Sequence, residues 1–222
     1  MAQLYLIPQW FFGVDIALEI IFGLITLSVA LYSLHIYRLS YQRECKLLAL
    51  GFASISLAYF VWSFINLFIV SNLADGTRAL TLGSLSFLGS LGVYGHILLL
   101  TLGFATLAYM TLDVRGYRSY ALFVTLPLLV IIFSAYKALA FYFILSFLVF
   151  YLVIHYVLEY SRKRRQTTLL LLVAFILILI GNVSFTFAAI RQVHYVIGHA
   201  LELAGYLLVL ASFIITLSKT RK

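Results

Sequence analysis

The sequence predicts an all-α integral membrane protein of seven transmembrane helices. Three observations carry that prediction. Of the 222 residues, 64% are hydrophobic and 10% charged, against roughly 45–50% and 25% in soluble domains. The apolar residues gather into seven segments near the length of about 20 residues that a spanning helix needs. Lys and Arg concentrate in alternate loops, as they do where loops face the cytoplasm.

The elements follow in order. The opening "MAQLYLIPQWFFG" has no charged n-region and no small-residue cleavage site, so no signal peptide is expected. Pro8 and Trp10 read as an interfacial lead-in. The first segment covers 14–37 and carries Glu19. The second, 47–71, holds Trp62 and Asn66, and the third, 84–112, holds His96. The fourth, 119–135, contains Pro127, which predicts a kink. The fifth covers 138–160 and has His155 in its last turns. The sixth, 168–190, holds Asn182, and the seventh, 193–218, holds His199 and Glu202.

The net charge is +8, and its distribution decides what that means. The first, third and fifth loops and the C-terminus hold 12 of the 15 Lys and Arg. The other side holds Arg78, Lys137 and Arg191. This asymmetry predicts a cell-membrane protein with its N-terminus outside and its C-terminus in the cytoplasm. The run "RKRR" at 162–165 is then a topology anchor facing anionic lipid, and no nucleic-acid partner is implied. Cys45 is the only cysteine, which excludes an internal disulfide and a Cys-rich metal site.

Landmarks recur along the chain. "LGVYGHILLLTLGFATLAY", at 91–109, is matched by "HYVIGHALELAGYLLVLASF", at 194–213. "LYSLHIYRLSYQRECKLL" at the end of the first helix is matched by "YLVIHYVLEYSRKRRQTTLL" at the end of the fifth. A duplicated three-helix unit, 14–112 and 138–218, joined by a linker helix at 119–135, accounts for both. The copies have the same orientation, so the repeat axis lies along the membrane normal. Equivalent residues then face each other: His35 with His155, and His96 with His199.

Two helices each offering a His at one depth can supply both axial ligands of a haem iron. The helical rise separates the two His layers by something like 15–20 Å. Gly92 and Gly103 lie on the His96 face and would let a flat macrocycle approach the backbone. Arg38, Arg43 or Arg118 on one side, and Arg78 or Arg191 on the other, suit haem propionates. Glu202, three residues from His199, and Glu19 are candidate proton relays or imidazole-orienting groups.

The four His and flanking glycines resemble the di-haem membrane cytochromes b. The resemblance implies two b-type haems, His35/His155 and His96/His199, and electron transfer between a quinone or soluble redox partner and an acceptor. It implies an electron carrier or redox subunit, working as a homo-oligomer or beside partner subunits, rather than a stand-alone enzyme. Two other readings fit the same residues. One is a transporter of a small solute, its site at the repeat interface built from Glu19, Glu202, Asn66, Asn182 and the outer histidines. The other is a membrane sensor domain for a small ligand or quinone. Taken singly, His35 and His155 are explained by helix C-terminal dipoles, and His96 and His199 by interhelical hydrogen bonds. Retinal is disfavoured because the seventh helix has no mid-membrane lysine. A zinc hydrolase is disfavoured because His194 and His199, five apart, do not share one helix face as i, i+4 residues do.

Overall fold

The computed structural model describes residues 9–74, 82–112, 114, 116–188 and 190–220. Pro8, Arg78 and Arg115 lie outside them. The described residues form helices and no strands. A short 3-10 turn, Gln9–Phe11, leads into α1, Phe12–Ser40. Then come α2, Arg43–Ala74, α3, Leu82–Met110, and α4, Tyr117–Phe133. The chain closes with α5, Lys137–Lys163, α6, Gln166–Phe187, and α7, Val193–Thr220.

Six of these helices are long and apolar enough to cross a membrane, which makes this a multi-pass membrane protein. The expected fourth span is the exception. At 17 residues α4 reaches about 25 Å. It contains Pro127, and its exposed face is largely apolar, with Leu122, Leu126, Leu129, Ile132 and Phe133.

Interhelical contacts fix the helix directions. Gly23 of α1 packs on Phe60 of α2, and Ser56 of α2 donates to the Gly23 carbonyl at 2.9 Å. Gly51 of α2 meets Leu107 of α3, while Gly92 of α3 meets Ile65 of α2. Within α1–α3 and within α5–α7 neighbouring helices are antiparallel, and Tyr195–Asp15 and Tyr32–Phe213 set α7 parallel to α1, so α1, α3, α5 and α7 all start at one face. The fourth helix carries the chain back across the bundle, held to the end of α3 by Tyr120–Thr106 at 2.9 Å and Tyr109–Gly116 O at 3.0 Å.

The six long helices close into a ring in the order α1, α2, α3, α5, α6, α7, with α7 returning to α1. The fourth helix sits outside against α3 and α5. Small residues let the backbones approach, the usual device where lipid tails compete with side chains for apolar contact. Basic residues Arg38, Arg43, Lys46 and Arg162 to Arg165 lie at the face where α1 and α5 end.

Several local features occur twice. Gly103 of α3 is pressed against Ile55 and the Gly51 carbonyl of α2, and Gly205 of α7 against Ile178 and the Ala174 carbonyl of α6. The first pair of helices ends and turns through Tyr41, φ 54, and the later pair through Arg164, φ 46, both left-handed. Each donates its N–H at 2.8 Å to a tyrosine carbonyl four residues back, Tyr37 and Tyr160. A left-handed residue in a two-residue turn folds the next helix back on the last.

The spacing of these contacts differs from the spacing of the histidines. Ile55 and Tyr41 stand 123 positions before Ile178 and Arg164, and Gly103 stands 102 positions before Gly205, whereas His35 and His155 are 120 apart and His96 and His199 are 103 apart.

Candidate functional site

The ring surrounds a partly open cavity of about 310 Å³ in the half nearest the starts of α1 and α7. Every long helix contributes to it. Glu19 of α1, Asn66 of α2, His96 of α3, Tyr142 of α5, Asn182 of α6 and Glu202 of α7 all line it. Trp62 lines it too.

One acid missed in the sequence organises its polar wall. Asp15 is the fourth residue of α1, where a carboxylate reads as a helix-start residue, favourable beside the N-terminal dipole. In the structure it is fully buried. Tyr195 of α7 donates its hydroxyl to Asp15 Oδ1 at 2.9 Å. His199 Nε2 lies 2.9 Å from the same oxygen, an ion-pair distance but out of line for a hydrogen bond. The i, i+4 spacing of Asp15 and Glu19 on α1, and of Tyr195 and His199 on α7, puts each pair on one face and aims both faces at the α1–α7 seam. That spacing is the signal that could have found Asp15.

The neighbouring acids are held from α2. Ser63 donates to Glu19 Oε2 at 3.2 Å, and Tyr59 to Glu202 Oε2 at 3.3 Å. Tyr59 and Tyr206 hydroxyls lie 3.0 Å apart. The imidazole of His199 is wrapped by rings: stacked on Phe22 at 5.9 Å and 16°, and edge-on to Tyr195 at 4.6 Å and Phe185 at 5.0 Å. Phe185 is itself wedged against Gly198, where an added Cβ would come within 2.5 Å of its ring.

Among the described residues at or beside the cavity, Asn66 Nδ2, Asn182 Oδ1, Asp15 Oδ2 and both ring nitrogens of His199 have no hydrogen-bond partner. All four residues are more than nine-tenths buried. An unsatisfied buried polar group costs about 1–3 kcal/mol, so a structure that keeps them around one cavity is poised to exchange hydrogen bonds with a ligand or ordered water. Asn182 Nδ2 is already committed to the Ile178 carbonyl at 2.9 Å, which fixes the orientation of the free oxygen.

The cavity is chemically divided. Tyr195, His199 and Glu202 of α7 line it together with Glu19 of α1, while α3 contributes Val93, Ile97 and Leu100 and α5 contributes Ala138 and Phe141. The α1–α7 seam is acidic and hydrogen-bonding, whereas the α3–α5 seam is mainly hydrocarbon and aromatic, with His96 and the Tyr142 hydroxyl as its polar groups.

The residues expected to hold haem are dispersed. His96 and His199 do line one cavity. His96 Nδ1 is 3.2 Å from the Ala58 carbonyl, which leaves Nε2 free. His199, however, is enclosed by rings, with Nε2 at the Asp15 carboxylate. His35 is exposed on α1, which packs on α2 and α7, while α5 packs on α3, α4 and α6. His155 instead lines a separate groove of about 880 Å³ on the basic face, with Arg43, Glu159 and Lys163. Gly92 and Gly103 offer no room to a macrocycle, because Ile65, Trp62 and Ile55 of α2 fill the space beside them. Arg38 and Arg191 are exposed at opposite ends of the bundle. Arg43 is held by the Val114 carbonyl at 2.7 Å and by the Tyr109 ring. These positions do not fit two bis-His haems. Among the described residues, no group of three or more His, Cys, Asp or Glu could hold a metal ion.

No family model matches the chain, and no curated protein or solved structure is significantly similar to it.

Proposed function

We propose that the chain is a small-solute transporter whose substrate site is the six-helix cavity, with the α1–α3 and α5–α7 units as a parallel duplication. One observation carries this reading. Polar side chains from both units converge on one space at their interface, where duplicated carriers place their sites. A volume of about 310 Å³ lies at the small end of the range for small-molecule pockets. The ring has only two seams between the units, α1–α7 and α3–α5. Rocking one unit against the other across those seams would move the opening from one face to the other. On the charge asymmetry of the loops, α4 is a short seventh crossing and the cavity lies toward the outside.

Cysteine accessibility tests both parts. In a Cys45→Ser background, Asn182→Cys should react with a membrane-impermeant maleimide from either side of the membrane, with the two rates changing in opposite directions when one state is trapped. Labelling from one side only would replace the transporter with a fixed binding or sensor domain. No labelling from either side would remove the cavity as a site. Arg164→Cys should label only from the cytoplasmic side, and labelling from outside would invert the topology.

The redox reading keeps one supporting feature, the free Nε2 of His96. Purified protein expressed with haem available should show no Soret band. A band abolished by His96→Ala would restore electron transfer as the leading function.

A further inference from the structure

We infer that the ligand of this cavity is a small amphiphilic organic cation, an ammonium group carried on an apolar or aromatic body. The inference rests on the reading of the cavity as a ligand site and names what that site selects.

Charge is the first argument. Glu19 and Glu202 line the cavity, and among the described residues no Lys or Arg does. Asp15 stands behind them with His199, so that pair is internally compensated when the imidazole carries a proton. The donors to the two glutamates are neutral: Ser63 and Trp62 for Glu19, and Tyr59 for Glu202. An isolated buried carboxylate is costly, and it is relieved by a proton or by a cation. A cationic ligand supplies the missing charge, and each proton it displaces leaves to solvent.

The division of the cavity is the second argument. An inorganic cation would need several oxygen ligands around one point, and the α3–α5 seam, with Val93, Ile97, Leu100 and Phe141, provides only the Tyr142 hydroxyl. An ammonium head at Glu19 and Glu202 leaves its body against that seam. Tyr59, Trp62 and Tyr195 present rings around the acidic end, and such rings attract a desolvated cation. The unpartnered Asn66 Nδ2 and Asn182 Oδ1 then serve a polar substituent. At about 30 Å³ per water-sized group, the space takes roughly ten non-hydrogen atoms.

Other titratable groups face the same space. His96 comes from α3, Tyr142 from α5, and Tyr206 stands behind Glu202 on α7, while α6 offers only Asn182 and Phe185. The glutamates are the acidic members of the cavity wall, so they dominate the pH response of cation binding.

The chain contains two tryptophans, Trp10 and Trp62. In a Trp10→Phe background the fluorescence of Trp62 reports the cavity directly. Three probes of matched size separate the alternatives: 2-phenylethylammonium, 2-phenylethanol and phenylacetate. The cation should bind saturably and the other two should not. Its affinity should rise with pH by up to about tenfold per unit for each proton displaced. Glu19→Gln and Glu202→Gln should each weaken it by about 10–100-fold, with an unchanged melting temperature showing that the fold is intact. Glu202→Asp, which keeps the charge, should retain the pH dependence. Equal or tighter binding of the alcohol or the carboxylate would overturn the cation inference while leaving the cavity a ligand site. Failure of all three probes, with Asn182→Cys still labelled, would overturn the inference alone. Failure of all three with no labelling would overturn both.

Discussion

Replacing Asp15 by alanine destabilises the protein by about 2–5 kcal/mol, the largest effect expected of any polar substitution in the chain. The reason is not the loss of one attraction. Asp15 is fully buried and serves two partners from α7, the Tyr195 hydroxyl at 2.9 Å and the His199 imidazole at 2.9 Å. Alanine strands both in a region closed by Phe11, Phe22 and Phe185. Each stranded group costs its own desolvation, about 1–3 kcal/mol. Asp15→Asn separates geometry from charge. The amide oxygen still accepts from Tyr195, so about half of the loss should return, while the charge opposite His199 does not. Thermal unfolding of the purified variants measures both. A melting temperature for Asp15→Ala within experimental error of the wild type would mean that the α1–α7 seam is wet and the acidic wall is not enclosed.

Gly103→Leu is expected to abolish the folded state, and Gly103→Ala to cost about 1–3 kcal/mol. Even a single Cβ at this position would come within 2.5 Å of Ile55 Cγ1 and 2.9 Å of the Gly51 carbonyl. A side-chain tip could yield, but a carbonyl in a neighbouring helix cannot move without moving α2. Gly205 meets Ile178 at 2.7 Å and the Ala174 carbonyl at 3.0 Å, so Gly205→Ala should behave alike. Gly89, with nothing within 4 Å, is the control and should accept alanine without loss. Yield of monodisperse protein and thermal unfolding check the series. Equal tolerance at Gly103 and Gly89 would contradict the close α2–α3 approach. Gly198→Ala has a different expectation, because its neighbour is the Phe185 ring rather than a backbone. The ring is displaced, and it lines the cavity, so the loss should appear in ligand affinity before it appears in stability.

The sequence legibly carried the membrane character and the number and order of helices. Both follow from properties that each segment expresses alone, namely the length of an apolar run and the sign of the loops between runs. Six residues of the candidate site were also visible as isolated ionisable or amide groups in apolar surroundings: Glu19, Glu202, His96, His199, Asn66 and Asn182. The transporter reading grouped them, whereas the haem reading divided the histidines into two layers. The expectation of haem rested on matching words in the two halves, whereas the structure leaves His35 exposed on α1 and puts His155 in a separate groove. Asp15 was not singled out from the sequence. Burial under α7 is a property of two helices together, and no single-segment pattern encodes it. Likewise Gly103 advertises close packing, but only the neighbouring helix decides whether a ligand or a carbonyl fills the space. What each helix is, the chain states locally; which faces meet, and so where uncompensated charge is enclosed, depends on packing between residues far apart in sequence.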